Sequence, residues 1–82
     1  MTDGFNSKVE FRGQTYLVQT QDKGPGSPCV ESLIYRSGAL LGSKRTFYTS
    51  FLDSPDIRAA IERIMTDQHH KILEEIVEGR FS

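Results

Sequence analysis

The adjacent histidines His69 and His70 are the residues of this sequence that most invite a chemical role. His70 follows Asp67 by three residues and precedes Glu74 by four, so on a helix these three side chains share a face. Zinc sites need three or four ligands from side chains of this kind, but no cysteine lies nearby and the two histidines point about 100° apart on a helix. We therefore expect no metal site. The pattern favours a solvated His70 paired with Glu74, and a His69 at the margin of the apolar side of the helix.

Two other features resemble reactive or ligand-binding elements only in part. Cys29 follows Pro28, but no cation or helix N-terminus is evident beside it to favour the reactive thiolate. Residues 24–27 are rich in glycine, as phosphate-binding loops are, yet the Lys-Ser/Thr ending is missing and Pro25 removes an amide donor. No nucleophile with a base and an oxyanion donor emerges. The sequence thus predicts a protein that is not an enzyme and holds no cofactor.

Basic and aromatic side chains lie together on two neighbouring predicted strands, as on platforms that bind single-stranded nucleic acid: Tyr35, Arg36, Lys44, Arg45, Phe47 and Tyr48. Against this function stand ten basic and eleven acidic residues, a net charge of -1, and seven acidic residues within 53–82. An ordinary sheet with Glu31 paired to Lys44 across strands explains the same residues. Nucleic-acid or small-ligand binding on this face remains the alternative function, with nucleic acid the less favoured ligand.

The elements that must position these side chains follow from the hydrophobic pattern. With 82 residues, 37% of them hydrophobic, the chain has the size of one small domain. Alternation over residues 8–12 and the β-branched and aromatic residues of 15–20 predict two strands. A hairpin turn at Gly13 and Gln14 joins them. This turn would pair Phe11 with Tyr16, and Val9 with Val18.

Two further strands are predicted after a loop rich in proline and glycine at residues 22–28. They cover about residues 30–36 and 40–51 and meet at a turn over Ser37 and Gly38. The second strand is unusually long, and the pair Gly42-Ser43 within it indicates a β-bulge. Such a bulge would change the faces of the sheet to which the side chains after it point.

The hydrophobic period changes to that of a helix after Ser54. Ser54 is the expected N-cap, Pro55 the first helical residue, and Gly79 the stop. Gln68 falls on the apolar stripe, where its amide is expected to satisfy a polar group beneath it. The stripe comprises Ile57, Ile61, Ile64, Met65, Gln68, Ile72 and Ile76. The chain is therefore predicted to be an α+β domain: a four-stranded antiparallel β-meander followed by one long C-terminal helix packed on one face.

The predicted sheet is apolar on both faces, although one helix covers only one of them. The core face is expected to hold Val9, Phe11, Tyr16, Val18, Val30, Ile34, Leu41, Phe47 and Phe51. The other face is expected to hold Leu17, Leu33, Tyr35, Leu40 and Tyr48. An apolar patch of this kind suggests a partner, unless the bulge turns half of these side chains back into the core.

The helix supplies a second argument for a partner. Over residues 55–78 it would be about 36 Å long, whereas strands of six to eight residues span about 20 to 27 Å. The end of the helix would then overhang the sheet and expose Ile72, Leu73, Ile76, Val77 and Phe81. A break near residues 66–70 would avoid this exposure, and a homodimer is the simplest way to cover these side chains.

The sequence also indicates where the protein resides. No apolar run approaches the roughly 18 residues of a membrane span, and the N-terminus lacks the pattern of a signal peptide. A lone Cys29 makes no internal disulfide. We expect a cytoplasmic protein without membrane contact, in which residues 1–7 are a disordered lead-in and residues 8–82 form the single domain.

Four stretches carry a resemblance to a known family, at residues 16–22, 32–41, 43–48 and 65–71. Together they resemble a family of small bacterial domains with the pattern VQT(E/Q)D, SGA(L/I)L, QHK and GxF, whose function is not established. The likeness covers about residues 8–81. The family has an acidic residue where this chain has Gln21, and a single histidine where it has His69 and His70. The resemblance implies a bacterial cytoplasmic setting and use as a module within longer proteins.

These arguments combine into one functional prediction. We expect a small protein-interaction module without catalytic activity, which forms a homodimer through its long helix, the outer face of its sheet, or both. The expected interface residues are Leu17, Leu33, Tyr35, Leu40, Tyr48, Ile72, Leu73, Ile76, Val77 and Phe81.

Overall fold

The computed structural model describes residues 4–24 and 26–81 of the chain. Over these residues the chain forms β1 (Phe5–Phe11), β2 (Gln14–Asp22), β3 (Cys29–Arg36), β4 (Ala39–Phe47), a 3-10 turn (Thr49–Phe51) and α1 (Ile57–Val77). The strands form one antiparallel sheet in the order β1-β2-β3-β4. Helix α1 packs on one face, mainly on β2 with β1 and β3 beside it. The predicted α+β fold is confirmed.

The first hairpin turns at Arg12 and Gly13, one residue earlier than predicted. Both residues have positive φ, at 52° and 77°, as a tight two-residue hairpin turn requires. Val9 therefore pairs with Tyr16, and Phe11 with Gln14, so the predicted register is wrong by two residues. Because side chains alternate between faces with a period of two, this shift leaves each side chain on the face predicted for it.

A bulge at Leu41 decides which side chains of β4 face the helix. Ile34 pairs with Gly42 but the next residue, Tyr35, pairs with Leu40, so Leu41 is an extra residue in β4. The extra residue reverses the faces of everything after it. Phe47 is consequently 62% exposed and Tyr48 only 2% exposed. The prediction that placed Phe47 in the core and Tyr48 outside is wrong.

The end of β4 also differs from the prediction. The strand stops at Phe47, and residues 49–51 form the 3-10 turn rather than more strand. Leu41 and Phe51 were expected in the core, but their side chains are 38% and 46% exposed. Leu41 lies at the bulge and Phe51 lies beyond the sheet, so neither belongs to the alternation on which that expectation rested.

Helix α1 begins two residues later than predicted, at Ile57 rather than Pro55, whereas its stop at Gly79 is as predicted. Its N-cap is Asp56, which makes no side-chain capping hydrogen bond, and the Ser54 hydroxyl two residues earlier accepts a hydrogen bond from the Asp56 amide at 3.3 Å. The expected N-cap at Ser54 is therefore wrong by two residues. At the other end Gly79 adopts φ of 79°, and the amides of Gly79 and Arg80 donate to the carbonyls of Ile76 and Glu75. This Schellman arrangement satisfies the last carbonyls and confirms the stop.

The core lies between α1 and the sheet in two clusters. The cluster under the C-terminal half of the helix comprises Tyr16, Val18, Ile34, Ile72 and Ile76, with Val9, Phe11, Leu73 and Phe81 partly buried against it. The cluster under the N-terminal half comprises Val30, Tyr48, Ile61 and Met65, with Phe5, Ile57 and Ile64 against it. Both halves of the helix are thus covered by the domain's own sheet.

The expected overhang of the helix is therefore wrong. The helix is continuous over its 21 residues, about 32 Å, and β2 has nine residues, about 30 Å. The two elements match in length because β2 is longer than the sequence suggested. Ile72 is fully buried and Ile76 is 1% exposed, whereas Val77 is 54% exposed. Ile72 and Ile76 stabilise the monomer and are not free to contact a partner.

The N-terminal segment joins the sheet earlier than expected. Strand β1 begins at Phe5, so residues 5–7 are strand and not a disordered lead-in. Gly4 precedes the strand and is exposed, and the rest of that expectation falls on residues 1–3, which lie outside the described part of the chain. Within the described residues, α1 is too polar to cross a membrane.

Candidate functional site

The outer face of the sheet, which points away from α1, is one candidate site. Leu17 of β2 pairs with Lys8 of β1 and with Tyr35 of β3, and Tyr35 pairs with Leu40 of β4. Directly paired residues share a face, so these four side chains form one row across all four strands. We call the outer face the surface formed by Lys8, Leu17, Gln19, Leu33, Tyr35, Leu40, Arg45 and Phe47.

Apolar side chains dominate the middle of the outer face. Leu17, Leu33 and Tyr35 are half-buried, whereas Leu40 is 57% and Phe47 62% exposed. A shallow cleft of about 350 Å³ lies on this face, lined by Lys8, Thr15, Leu17, Gln19, Tyr35, Ser37 and Gly38. The structure thus brings together four of the predicted interface residues on the outer face. Phe47 was missed because its placement depends on the bulge.

The remaining predicted interface residues do not join this surface. Tyr48 belongs to the core, where its hydroxyl donates a hydrogen bond to the Asp22 carboxylate. Burial, together with this acceptor, raises the pKa of Tyr48 to about 12. Leu73 and Phe81 pack on the core cluster beneath the C-terminal half of the helix. Val77 alone among the predicted helix residues is largely exposed, on the side of the helix away from the sheet.

Two charged groups on the outer side of β3 and β4, Glu31 and Arg45, are paired with each other. Glu31 is 6% exposed and accepts a hydrogen bond from Arg45 at 2.8 Å, with the Lys23 ammonium 3.7 Å away. The hydrogen bond from Arg45 is the main reason that the pKa of Glu31 lies below its ordinary value. The predicted partner, Lys44, is wrong because the bulge moves Lys44 to the inner face. Arg36 also has a partner, since its guanidinium donates to the Phe81 carbonyl at 2.9 Å.

A connected set of buried polar side chains on the inner face is the second candidate site. Each strand contributes one hydroxyl, and α1 contributes two adjacent residues. We call this set the polar chain: Ser7, Thr20, Ser32, Thr46, Gln68 and His69. It crosses the whole sheet beneath the helix, between the two apolar clusters.

Gln68 is the centre of the polar chain. Its amide nitrogen donates to the Ser32 hydroxyl at 2.8 Å and to the carbonyls of Lys44 and Val30 at 3.2 and 3.4 Å. Its amide oxygen accepts a hydrogen bond from the Thr46 hydroxyl. Carbonyl oxygens only accept, so the orientation of the amide is fixed. The prediction that Gln68 satisfies polar groups beneath the helix is confirmed.

His69 lies deeper than the sequence suggested. The side chain is 3% exposed, so its expected place at the margin of the apolar stripe is wrong. Its Nε2 is 2.8 Å from the Ser7 hydroxyl and its Nδ1 is 2.7 Å from the Thr20 hydroxyl. Burial, and secondarily the neighbouring His70, lowers the pKa of His69. The ring is therefore neutral at neutral pH.

The contact between Ser7 and His69 has the length of a nucleophile–base hydrogen bond. In catalytic triads a carboxylate orients the second ring nitrogen, but here that nitrogen meets the Thr20 hydroxyl. Ser7 lines none of five clefts on the described part of the chain. His69 is buried and both of its ring nitrogens meet hydroxyl groups, so the contact joins α1 to β1 and β2.

The exposed His70 has no ligand set in the described structure. Within residues 4–24 and 26–81, no three His, Cys, Asp or Glu side chains come close enough to hold a metal ion. Cys29 is 2% exposed, with its sulfur 4.0 Å from the Ser27 hydroxyl. These residues therefore add no further candidate site.

In comparisons with known proteins, no family model, no curated protein and no solved structure matches the chain.

Proposed function

We propose that this domain is a non-catalytic protein-interaction module that forms a homodimer through the outer face of its sheet. The observation that carries the proposal is the cluster of apolar side chains on that face, with Leu40 and Phe47 more than half exposed. Two such faces packed together would form a sandwich of two sheets, the usual way in which sheets bury a second apolar face.

The size of the outer face sets the expected strength of the dimer. Four strands spaced about 4.8 Å apart and about 25 Å long present roughly 500 Å² on each copy. The total of roughly 1,000 Å² is at the lower limit for a specific interface. We therefore expect a dimer that dissociates in the micromolar range or above.

The charges of the face favour a second copy as the occupant. On β1, Lys8 and Glu10 have opposite signs, and Arg45 is neutralised by Glu31. A face with balanced charge does not repel its own copy, whereas a strongly charged partner would gain little from it. A two-fold axis would also bring the row of Leu17, Tyr35 and Leu40 against the same row.

Sedimentation equilibrium from micromolar to millimolar concentration tests the proposal. Leu40→Asp places a charge within the proposed interface and should weaken dimerisation at least about tenfold. Val77→Asp is the matched control, because Val77 is exposed to a similar extent, 54% against 57%, but lies on the helix. A monomer at millimolar concentration would contradict the proposal. Dissociation caused by Val77→Asp and not by Leu40→Asp would instead indicate that the dimer interface lies on the helix.

One observation favours a second function, the binding of a small amphipathic acid. The cleft on the outer face combines the apolar side chains of Leu17 and Tyr35 with the Lys8 ammonium. Nucleic acid is the weaker candidate ligand, because Arg36 and Arg45 have partners and Tyr48 is buried. A chemical-shift titration with benzoate would test the cleft, and a salt-dependent response to an oligonucleotide would instead support nucleic acid.

We also propose a bacterial cytoplasmic setting and use within longer proteins. These two suggestions depend on the family resemblance of residues 8–81. The buried free thiol of Cys29 is compatible with a reducing compartment.

A further inference from the structure

His69 connects the edge strand β1 to the rest of the fold. On one side its ring meets the Ser7 hydroxyl and the edge of the Phe5 ring, with ring centres 5.6 Å apart. On the other side it meets the Thr20 hydroxyl of β2. The imidazole thus bridges β1 and β2 beneath α1, in a site with 3% exposure.

The hydrogen bonds of the polar chain run in one direction when His69 is neutral. The Gln68 amide donates to Ser32, since that nitrogen is also held by two carbonyls. Ser32 then donates to Thr20, Thr20 to Nδ1 of His69, and Nε2–H of His69 to Ser7. Every hydroxyl between Gln68 and His69 donates once and accepts once.

Protonation of His69 breaks this order. An imidazolium donates from both nitrogens, so Thr20 must accept from His69 and turn its own proton to Ser32. Ser32 then receives hydrogen bonds from both Thr20 and Gln68, and its proton loses the partner that it had. A buried hydroxyl without a partner, beside a buried charge, costs free energy.

The surroundings of the ring do not compensate that charge. On β1 the groups facing it are Phe5 and Ser7, and on β2 Thr20, none of which ionises in this range. The charged side chains on the inner faces of the packed strands are Asp22 on β2, Arg36 on β3 and Lys44 on β4. The Asp22 carboxylate is held by the Tyr48 hydroxyl and the Gly24 amide. On α1, the neighbouring His70 opposes a second positive charge.

We propose that His69 is a pH-sensitive latch, whose protonation releases β1 from α1 and β2 while the remaining sheet and helix stay folded. Strand β1 opens first because it is an edge strand and none of its residues is fully buried, whereas β2 and β3 hold the fully buried core. All contacts of the latch lie within one chain, so it can be tested at concentrations where the protein is monomeric.

The direction of the pH effect follows from the lowered pKa of His69. In the open state, in which β1 is released, the His69 ring is solvated and its pKa is near the ordinary value of 6.5. The closed state therefore binds fewer protons, and its advantage is complete above about pH 6.5 and declines as pH falls towards the lowered pKa of the closed state. Over that interval the population of the open state should rise up to about tenfold per pH unit.

Amide hydrogen exchange at pH 7.5, 6.5 and 5.5, corrected for intrinsic rates, tests the latch. Protection factors of β1 amides should fall up to about tenfold per pH unit below 6.5, while those of β3 and α1 change little. His69→Gln, which keeps hydrogen-bonding groups but cannot titrate, should remove this dependence. His70→Gln is the matched control and should retain it.

Two outcomes would overturn the latch. One is a parallel loss of protection in all elements, which would mean global unfolding. The other is a pH dependence that survives in His69→Gln. Should that variant fail to fold, an NMR titration of the two histidines in the unmodified protein decides, because a pKa of His69 at or above 6.5 would exclude the mechanism.

Discussion

Gln68 of α1 donates a hydrogen bond to Ser32 of β3 across 2.8 Å, at the centre of the interface between the helix and the sheet. The contact lies between two apolar clusters, so neither partner has water as an alternative. Both residues have further protein partners, Gln68 through Thr46 and Ser32 through Thr20. A polar residue on the apolar stripe thus fixes where the helix sits along the strands.

Replacing Gln68 with leucine should destabilise the domain although it increases hydrophobicity. The change leaves Thr46, Ser32 and the Lys44 carbonyl without the amide that they share, which should cost about 1–3 kcal/mol. Urea unfolding followed by circular dichroism measures the effect. Gln21→Leu, at an exposed position of β2, should be nearly neutral. Unchanged or increased stability of Gln68→Leu would show that the polar chain contributes nothing to the fold.

Two apolar residues near the C-terminal end of α1, Ile72 and Val77, should differ sharply in their contribution to stability. Ile72→Ala removes a fully buried side chain from the cluster with Tyr16 and Val18, and should cost about 2–5 kcal/mol. Val77→Ala removes an exposed side chain and should change stability by less than about 0.5 kcal/mol. Both values come from urea unfolding at a concentration where the protein is monomeric. Comparable losses at both positions would contradict the exposed placement of Val77.

The sequence was sufficient to predict the elements of the fold, because each depends on local patterns. Alternation gave the strands, the period of the stripe gave the helix, and Gly79 marked its end. The hairpin error was harmless, since a shift of two residues keeps Val9 and Phe11 on their face. The bulge, in contrast, changed which side chains of β4 face the core. One extra residue at Leu41 exchanges the environments of Phe47 and Tyr48, and a glycine nearby does not reveal its position.

The candidate sites were predictable only in part. The outer face was found through Leu17, Leu33, Tyr35 and Leu40, which precede the bulge. The polar chain was found only through Gln68. Ser7, Thr20 and Ser32 are ordinary strand residues in the sequence, and they become a connected set only when three strands align them under His69.

The buried hydroxyl of Tyr48 should ionise only in strongly alkaline solution. Its pKa is raised to about 12 by burial and by the Asp22 carboxylate that accepts its proton. Because the folded protein then binds more protons than the unfolded chain, the contribution of Tyr48 to stability is complete below about pH 10 and is lost as pH rises through about 12.

The absorbance of tyrosinate at alkaline pH measures this ionisation. The step near pH 12 should be absent from Tyr48→Phe and should move to lower pH in Asp22→Asn, which removes the negative charge. A wild-type titration in which the Tyr48 step, assigned by difference from Tyr48→Phe, occurs near pH 10 would contradict the placement of Tyr48 in the core.

The position of the bulge can be tested through the ion pair between Glu31 and Arg45, because the bulge determines which basic residue of β4 faces Glu31. The structure pairs Glu31 with Arg45, while an unbroken alternation would turn Lys44 to that face. Arg45→Ala should therefore lower stability more than Lys44→Ala, by less than about 1 kcal/mol because the arginine is largely exposed. The pKa of Glu31 is held below its ordinary value, so the contribution is present above about pH 4.5 and is lost as pH falls through the lowered pKa. Unfolding by urea at pH 7 and pH 3 should show a larger difference between the variants at pH 7 than at pH 3. A larger effect of Lys44→Ala would place the extra residue of β4 after Lys44 and exchange the two faces of the strand.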